Sequence, residues 1–143
     1  NLDLFIDLSP MDAYRYGVCL FNTKKDKTNC ILAFESCVND KTVPIDVYYF
    51  LAKANHASYR FSTAINYYKK ALYPDNKLIN NNPVLYSNVV DNMAFCKLQI
   101  KDFTQLPDLF YEALQIRETN KNMFAVTNSY MNLSKYYLKI NWI

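Results

Sequence analysis

Three stretches of this chain carry one pattern: a small residue, an aromatic four positions on, and a second small residue three further. They are CILAFESC (Cys30, Phe34, Cys37), AINYYKKA (Ala64, Tyr68, Ala71) and LPDLFYEA (Leu106, Phe110, Ala113), the last opening on Leu. Positions i, i+4 and i+7 share one face of a 3.6-residue period, so each stretch predicts an amphipathic helix. Small residues on that face let a second helix come close, and the ring fills the remaining gap. A chain that repeats the arrangement is committed to helix-on-helix packing. These helices are scaffold, and their neighbours are the place to look for function.

Each stretch follows another helical segment that carries a bulky–small pair. The pairs are Tyr16-Gly17, Leu51-Ala52 and Met93-Ala94, and a fourth, Leu133-Ser134, comes last. Each stands three residues after Ala13, Tyr48, Val90 or Tyr130. The small residue lies 12 positions before the next stretch in Ala52–Ala64 and Ala94–Leu106, and 13 in Gly17–Cys30. Successive small positions, 17, 52, 94 and 134, are 35, 42 and 40 apart.

The punctuation agrees. Ser9-Pro10 and Asn82-Pro83 read as an N-cap followed by Pro in the first turn. Pro44 opens another helix, Pro74-Asp75-Asn76 closes one, and Asn80–Asn82 is a polar loop. Pro107 would break a helix interior, so that helix is expected to start near Thr104, with Pro107 in its first turn. The fold class is all-α. Seven helices are expected, over about 10–22, 27–38, 45–58, 62–72, 83–100, 104–117 and 123–139, with residues 1–8 as the tail of an earlier helix. Short loops make neighbours antiparallel hairpins.

Several function classes lack their residues. The net charge of +3, from 16 basic and 13 acidic residues, is too small to argue for nucleic acid or an anionic membrane. The run Lys24–Lys27 reads as a solvated loop. The single glycine, Gly17, argues against Gly-rich phosphate loops. No apolar run approaches the ~20 residues of a membrane-spanning helix. Cys19, Cys30, Cys37 and Cys96 lack the close spacing of a zinc or redox pair. On one helix Cys30 and Cys37 would lie ~10.5 Å apart, too far for a disulfide. All four read as small buried hydrophobes, with a bridge from Cys19 to Cys30 or Cys37 left open. His56 is the only histidine, so a zinc site with several His ligands is excluded and any Ser-His-Asp device would have to use it. Glu35, Glu112 and Glu118 read as solvent ion pairs. No phosphate-loop, paired-carboxylate or dinucleotide motif is present. The expectation is no catalytic residue, no metal and no cofactor.

The paired slots resemble the tetratricopeptide repeat (TPR) family, whose pattern W-x2-L-G-x2-Y, A-x3-F, then Ala and Pro spans about 34 residues. The resemblance covers residues 10–143 as repeats at about 10–40, 44–76 and 83–118 and a half repeat at 123–143, within one domain of 1–143. It departs from the family in the longer second and third intervals, in Leu106, and in Pro74 as the only nearby closing proline. It implies a right-handed solenoid of hairpins, each burying its apolar face on the next. It also implies that first helices line a concave groove for a protein or peptide partner. Carried over, the groove residues are Tyr14, Val18 and Phe21; Asp46, Tyr49, Lys53 and His56; Asn88, Asp91, Phe95 and Leu98; and Asn128, Met131, Lys135 and Leu138. The Lys/Asn/Arg set with which chaperone-binding relatives hold a C-terminal carboxylate is not reproduced there, so that ligand is not expected.

Within the family, residues 86–119 look like TPR regions of Bacteroidetes-type signalling proteins, ahead of a sensor histidine kinase or a helix-turn-helix regulator. Residues 44–72 look like the repeats ahead of OmpA-like domains. The first implies a module of a larger bacterial signalling protein, the second an envelope scaffold. The compartment would be periplasmic for the sensory part of a membrane kinase or an OmpA-like protein, and otherwise cytoplasmic. A helical-repeat nucleic-acid binder would need a basic groove, but Lys53 and Lys135 stand against Asp46 and Asp91, so no nucleic acid is expected. A small-molecule receptor would need a deep pocket around Tyr49, His56 and Phe95. Tyr136, Tyr137, Leu138, Ile140, Trp142 and Ile143 crowd the last helix, where a terminal cap should be polar. The expectation is a truncated chain whose apolar end forms a homodimer.

Overall fold

The structure is a computed structural model that describes residues 7–24, 26–72 and 81–141. Among the described residues it is all-helical, without strands. Seven helices run among the described residues: α1 (Pro10–Thr23), α2 (Lys27–Cys37), α3 (Val47–Ala57), α4 (Phe61–Leu72), α5 (Pro83–Gln99), α6 (Asp108–Thr119) and α7 (Met123–Asn141). The chain divides into two compact units, residues 1–67 and 68–143.

In the first unit, Ser9 caps α1 by accepting from the Asp12 amide at 3.1 Å, and Pro10 occupies the first turn. Lys24 ends the helix in the left-handed region at φ 56° and donates its N–H back to Leu20. Asp26 then caps α2, accepting from the Asn29 amide at 2.9 Å. The two helices pack as a hairpin at Gly17, where an added Cβ would stand 2.7 Å from the Phe34 ring. Phe34 is fully buried and stacks on Phe50 of α3, centroids 5.6 Å apart and planes at 7°. Val47, Leu51 and Ala54 of α3 close the core against Ala13, Ile31 and Phe34.

In the second unit, Asn82 caps α5 by accepting from the Leu85 amide at 3.0 Å, with Pro83 in the first turn. The core joins Ala94 and Leu98 of α5, Phe110 and Leu114 of α6, and Val126, Leu133 and Tyr136 of α7, with Leu106 closing it. Helix α6 begins at Asp108, four residues after the expected start. A proline disfavours the helical region for the residue before it, and Gln105 sits at φ 65°. The segment is therefore a turn, with Asp102 accepting from the Thr104 amide at 3.0 Å and Pro107 at the N-cap.

All nine positions of the three motif stretches are buried. So are Gly17, Leu51, Ala52, Met93, Ala94 and Leu133 of the preceding pairs, whereas Tyr16 and Ser134 are exposed. The four cysteines are free, and Cys19 is exposed. It lies two residues past Gly17, some 200° round the helix and away from the α2 contact. Cys30, Cys37 and Cys96 are buried as expected. Several sequence expectations fall outside the described residues: an earlier helix over 1–6, the turn at Pro74–Asn76, Asn80, and the apolar Trp142 and Ile143. Asp7 and Leu8 form a turn.

Candidate interaction surface

Tyr49, Lys53 and His56 follow i, i+4, i+7 spacing and share one half-buried face of α3, while Leu51 and Ala52 are fully buried. Tyr49 leans on Phe50 with centroids 5.8 Å apart, and burial raises its phenol pKa. The His56 ring stands edge-on to Phe61 at 5.9 Å. Burial, then the Lys53 charge, holds its imidazole below the ordinary value, which favours the neutral ring. Val18 and Phe21 of α1 are half-buried at the edge of the core, with Phe21 edge-on to Phe50 at 5.0 Å.

Tyr14 and Asp46 are committed to each other. The Tyr14 hydroxyl donates to Asp46 Oδ1 at 2.8 Å and ties α1 to the start of α3. Burial and the Asp46 carboxylate raise the phenol far above its usual range. Asp46 stands at the N-cap of α3 yet makes no cap hydrogen bond with its side chain.

In the second unit the expected groove residues of α5 separate. Leu98 is 1% exposed and belongs to the core. Asp91 is buried too, in a polar network with α6 and α7. Its Oδ2 lies 3.1 Å from Arg117 Nη1 and accepts from Asn132 Nδ2 at 2.6 Å. Arg117 also donates to Ser129 Oγ at 2.8 Å and to Asn88 Oδ1 at 2.9 Å. Both members of the ion pair have side chains only 6% exposed. Burial pushes the Asp91 carboxyl up, opposed by Arg117 and Asn132. Asp91 and Leu98 therefore do not line a surface, and Asn88 is engaged with Arg117. The physical reason is that α6 and α7 both pack on α5, whose burial reaches well beyond one stripe.

Arg117 was missed in the sequence, although a signal existed. Phe110, Ala113, Leu114 and Arg117 follow i, i+3, i+4, i+7, which places the guanidinium on the apolar face of α6. Two of the three glutamates also differ from expectation. Glu112 accepts from the Tyr86 hydroxyl at 2.7 Å and Glu118 from the Tyr130 hydroxyl at 3.2 Å.

Asn128, Met131, Lys135 and Leu138 are exposed on α7. Lys135 Nζ lies 5.7 Å from the centroid of the half-buried Phe95 ring, a cation–π contact joining α7 to α5. Phe124, seven residues before Met131, extends the same face and is 80% exposed. The heptad step from Met131 could have identified it. Of the residues expected at an apolar end, Tyr136 is buried and the Tyr137 hydroxyl meets that of Tyr111 at 2.8 Å. Among the described residues no helix is long and apolar enough to cross a membrane. Comparisons with protein-family models, curated proteins and solved structures gave no match.

Proposed function

We propose that the chain is a non-enzymatic protein-interaction module of the TPR type, binding a peptide or partner domain through the open faces of its first helices. In the first unit that face is Tyr49, Lys53 and His56, with Val18 and Phe21 beside it. In the second it is Phe95, Asn128, Met131, Lys135 and Leu138, with Phe124 added. One observation carries the reading. The small and aromatic residues of the recurring slots are buried, while α3 leaves an aromatic ring, an ammonium and an imidazole together on its half-open face. Rings supply contact area and polar groups supply direction, a composition suited to peptide recognition. Tyr14, Asp46, Asn88 and Asp91 hold helices together under this reading. The resemblance of residues 86–119 favours a signalling protein as the setting, with an envelope scaffold as the alternative.

Selection of binders from a displayed peptide library, followed by calorimetry on the intact chain, tests the proposal. Selected peptides should lose at least about 1 kcal/mol, roughly fivefold in Kd, with Tyr49→Ala or Met131→Ala. Binders insensitive to substitutions on both faces would exclude the surface described.

A further inference from the structure

The first unit holds a cavity of about 300 Å³ where the ends of α1 and α3 meet the start of α2. Leu20, Phe21, Ala54 and Ala57 give it apolar walls, and the buried Cys30 completes them. The remaining lining side chains are cationic: Lys24, Lys27 and Lys53. No carboxylate lines the cavity among the described residues. Asp26, adjacent in sequence, is occupied in capping α2, accepting from Asn29 N at 2.9 Å and Nδ2 at 2.6 Å. Lys27 Nζ donates to the Ala57 carbonyl at 3.1 Å, which holds one ammonium at the rim.

We propose that this cavity binds a small organic acid, its compact apolar body against the Leu20, Phe21, Ala54 and Ala57 walls and its carboxylate among the three ammonium groups. The volume lies at the lower end of the roughly 300–1,000 Å³ typical of ligand sites, which favours a small molecule. The described lining offers no hydroxyl, amide or guanidinium side chain. Inorganic phosphate would leave the apolar walls of Leu20, Phe21, Ala54 and Ala57 unfilled, whereas a carboxylate on an apolar body matches both halves of the site. Burial, then the Asp26 charge, pushes the Cys30 thiol up to about 11, so it stays neutral, and the single Asp26 charge that reaches it is outnumbered by Lys24, Lys27 and Lys53. Phe21 and Lys53 also belong to the surface proposed for a protein partner, but the inference stands without that reading.

The test is a titration of the full chain with 3-phenylpropanoate and, separately, with neutral 3-phenylpropanamide, followed by the methyl NMR signals of Ala54 and Ala57. The acid should shift both signals and bind about tenfold more tightly than the amide. The double substitution Lys24→Met, Lys53→Met keeps the apolar stems. It should bring the acid to the level of the amide and leave the amide unchanged. Absence of any shift at about 10 mM ligand, or equal affinity of acid and amide, would overturn the proposal. So would tighter binding by a peptide ending in phenylalanine, which would assign the cavity to a chain terminus.

Discussion

At the scale of single residues, Gly17 shows how a missing side chain positions two helices. Replacing a helical glycine with alanine ordinarily gains about 1 kcal/mol of helix propensity. Here the new methyl would meet the Phe34 ring at 2.7–2.8 Å. That ring cannot give way easily, since it is fully buried and stacked on Phe50. Gly17→Ala should therefore destabilise the chain by about 1–3 kcal/mol, read as a lower urea midpoint. A gain in stability would show that Phe34 has freedom the packing denies it. His56 supplies a pH dependence. Its folded-state pKa is lowered, so the unfolded chain binds the proton at higher pH than the folded one. Stability should be unaffected by His56 above about pH 6.5 and fall as pH drops below it toward the folded-state value. His56→Gln should remove that part of the slope, measured as the difference between the two proteins' stability–pH curves.

At the scale of helices, the small–aromatic–small spacing was legible because it depends only on helical period and side-chain volume. All nine of its positions are buried. Pairwise polar commitments were not legible. Nothing local in Asp91 or Asn88 indicates that Arg117, 26 and 29 positions away, will claim them. For Cys19, by contrast, local geometry was enough: two residues past Gly17, it turns away from the α2 contact and is exposed. The start of α6 failed because a first-turn proline is compatible with the helix only if the residues before it can turn in, and Gln105 instead takes a positive φ. The Arg117 network makes its own prediction. Arg117→Met leaves Asp91 buried without its cation, and should cost about 3–5 kcal/mol in denaturant unfolding. The pair Asp91→Leu, Arg117→Met should cost less than Arg117→Met alone, because no charge remains to be buried. Equal or greater loss in the double variant would mean that the network holds α5, α6 and α7 by geometry rather than by charge balance.

At the scale of the whole chain, helical class was readable, as were the seven helices among the described residues, and hairpin packing followed from short connections. Which open faces remain for a partner depended on burial that only the assembled units define. Leu98 and Asp91 left the predicted set, Phe124 joined it, and Tyr49, Lys53 and His56 stayed accessible together. The central claim is that this chain works through those faces. Its most direct test is backbone and methyl NMR of the intact chain titrated with a peptide selected against it. Shifts should be concentrated at Tyr49, Lys53 and His56 or at Phe95, Met131, Lys135 and Leu138, with affinity reduced about fivefold or more by alanine at the shifted aromatic or methionine. Shifts confined to α2, α4 and α6, the helices that carry the recurring slots, would contradict it.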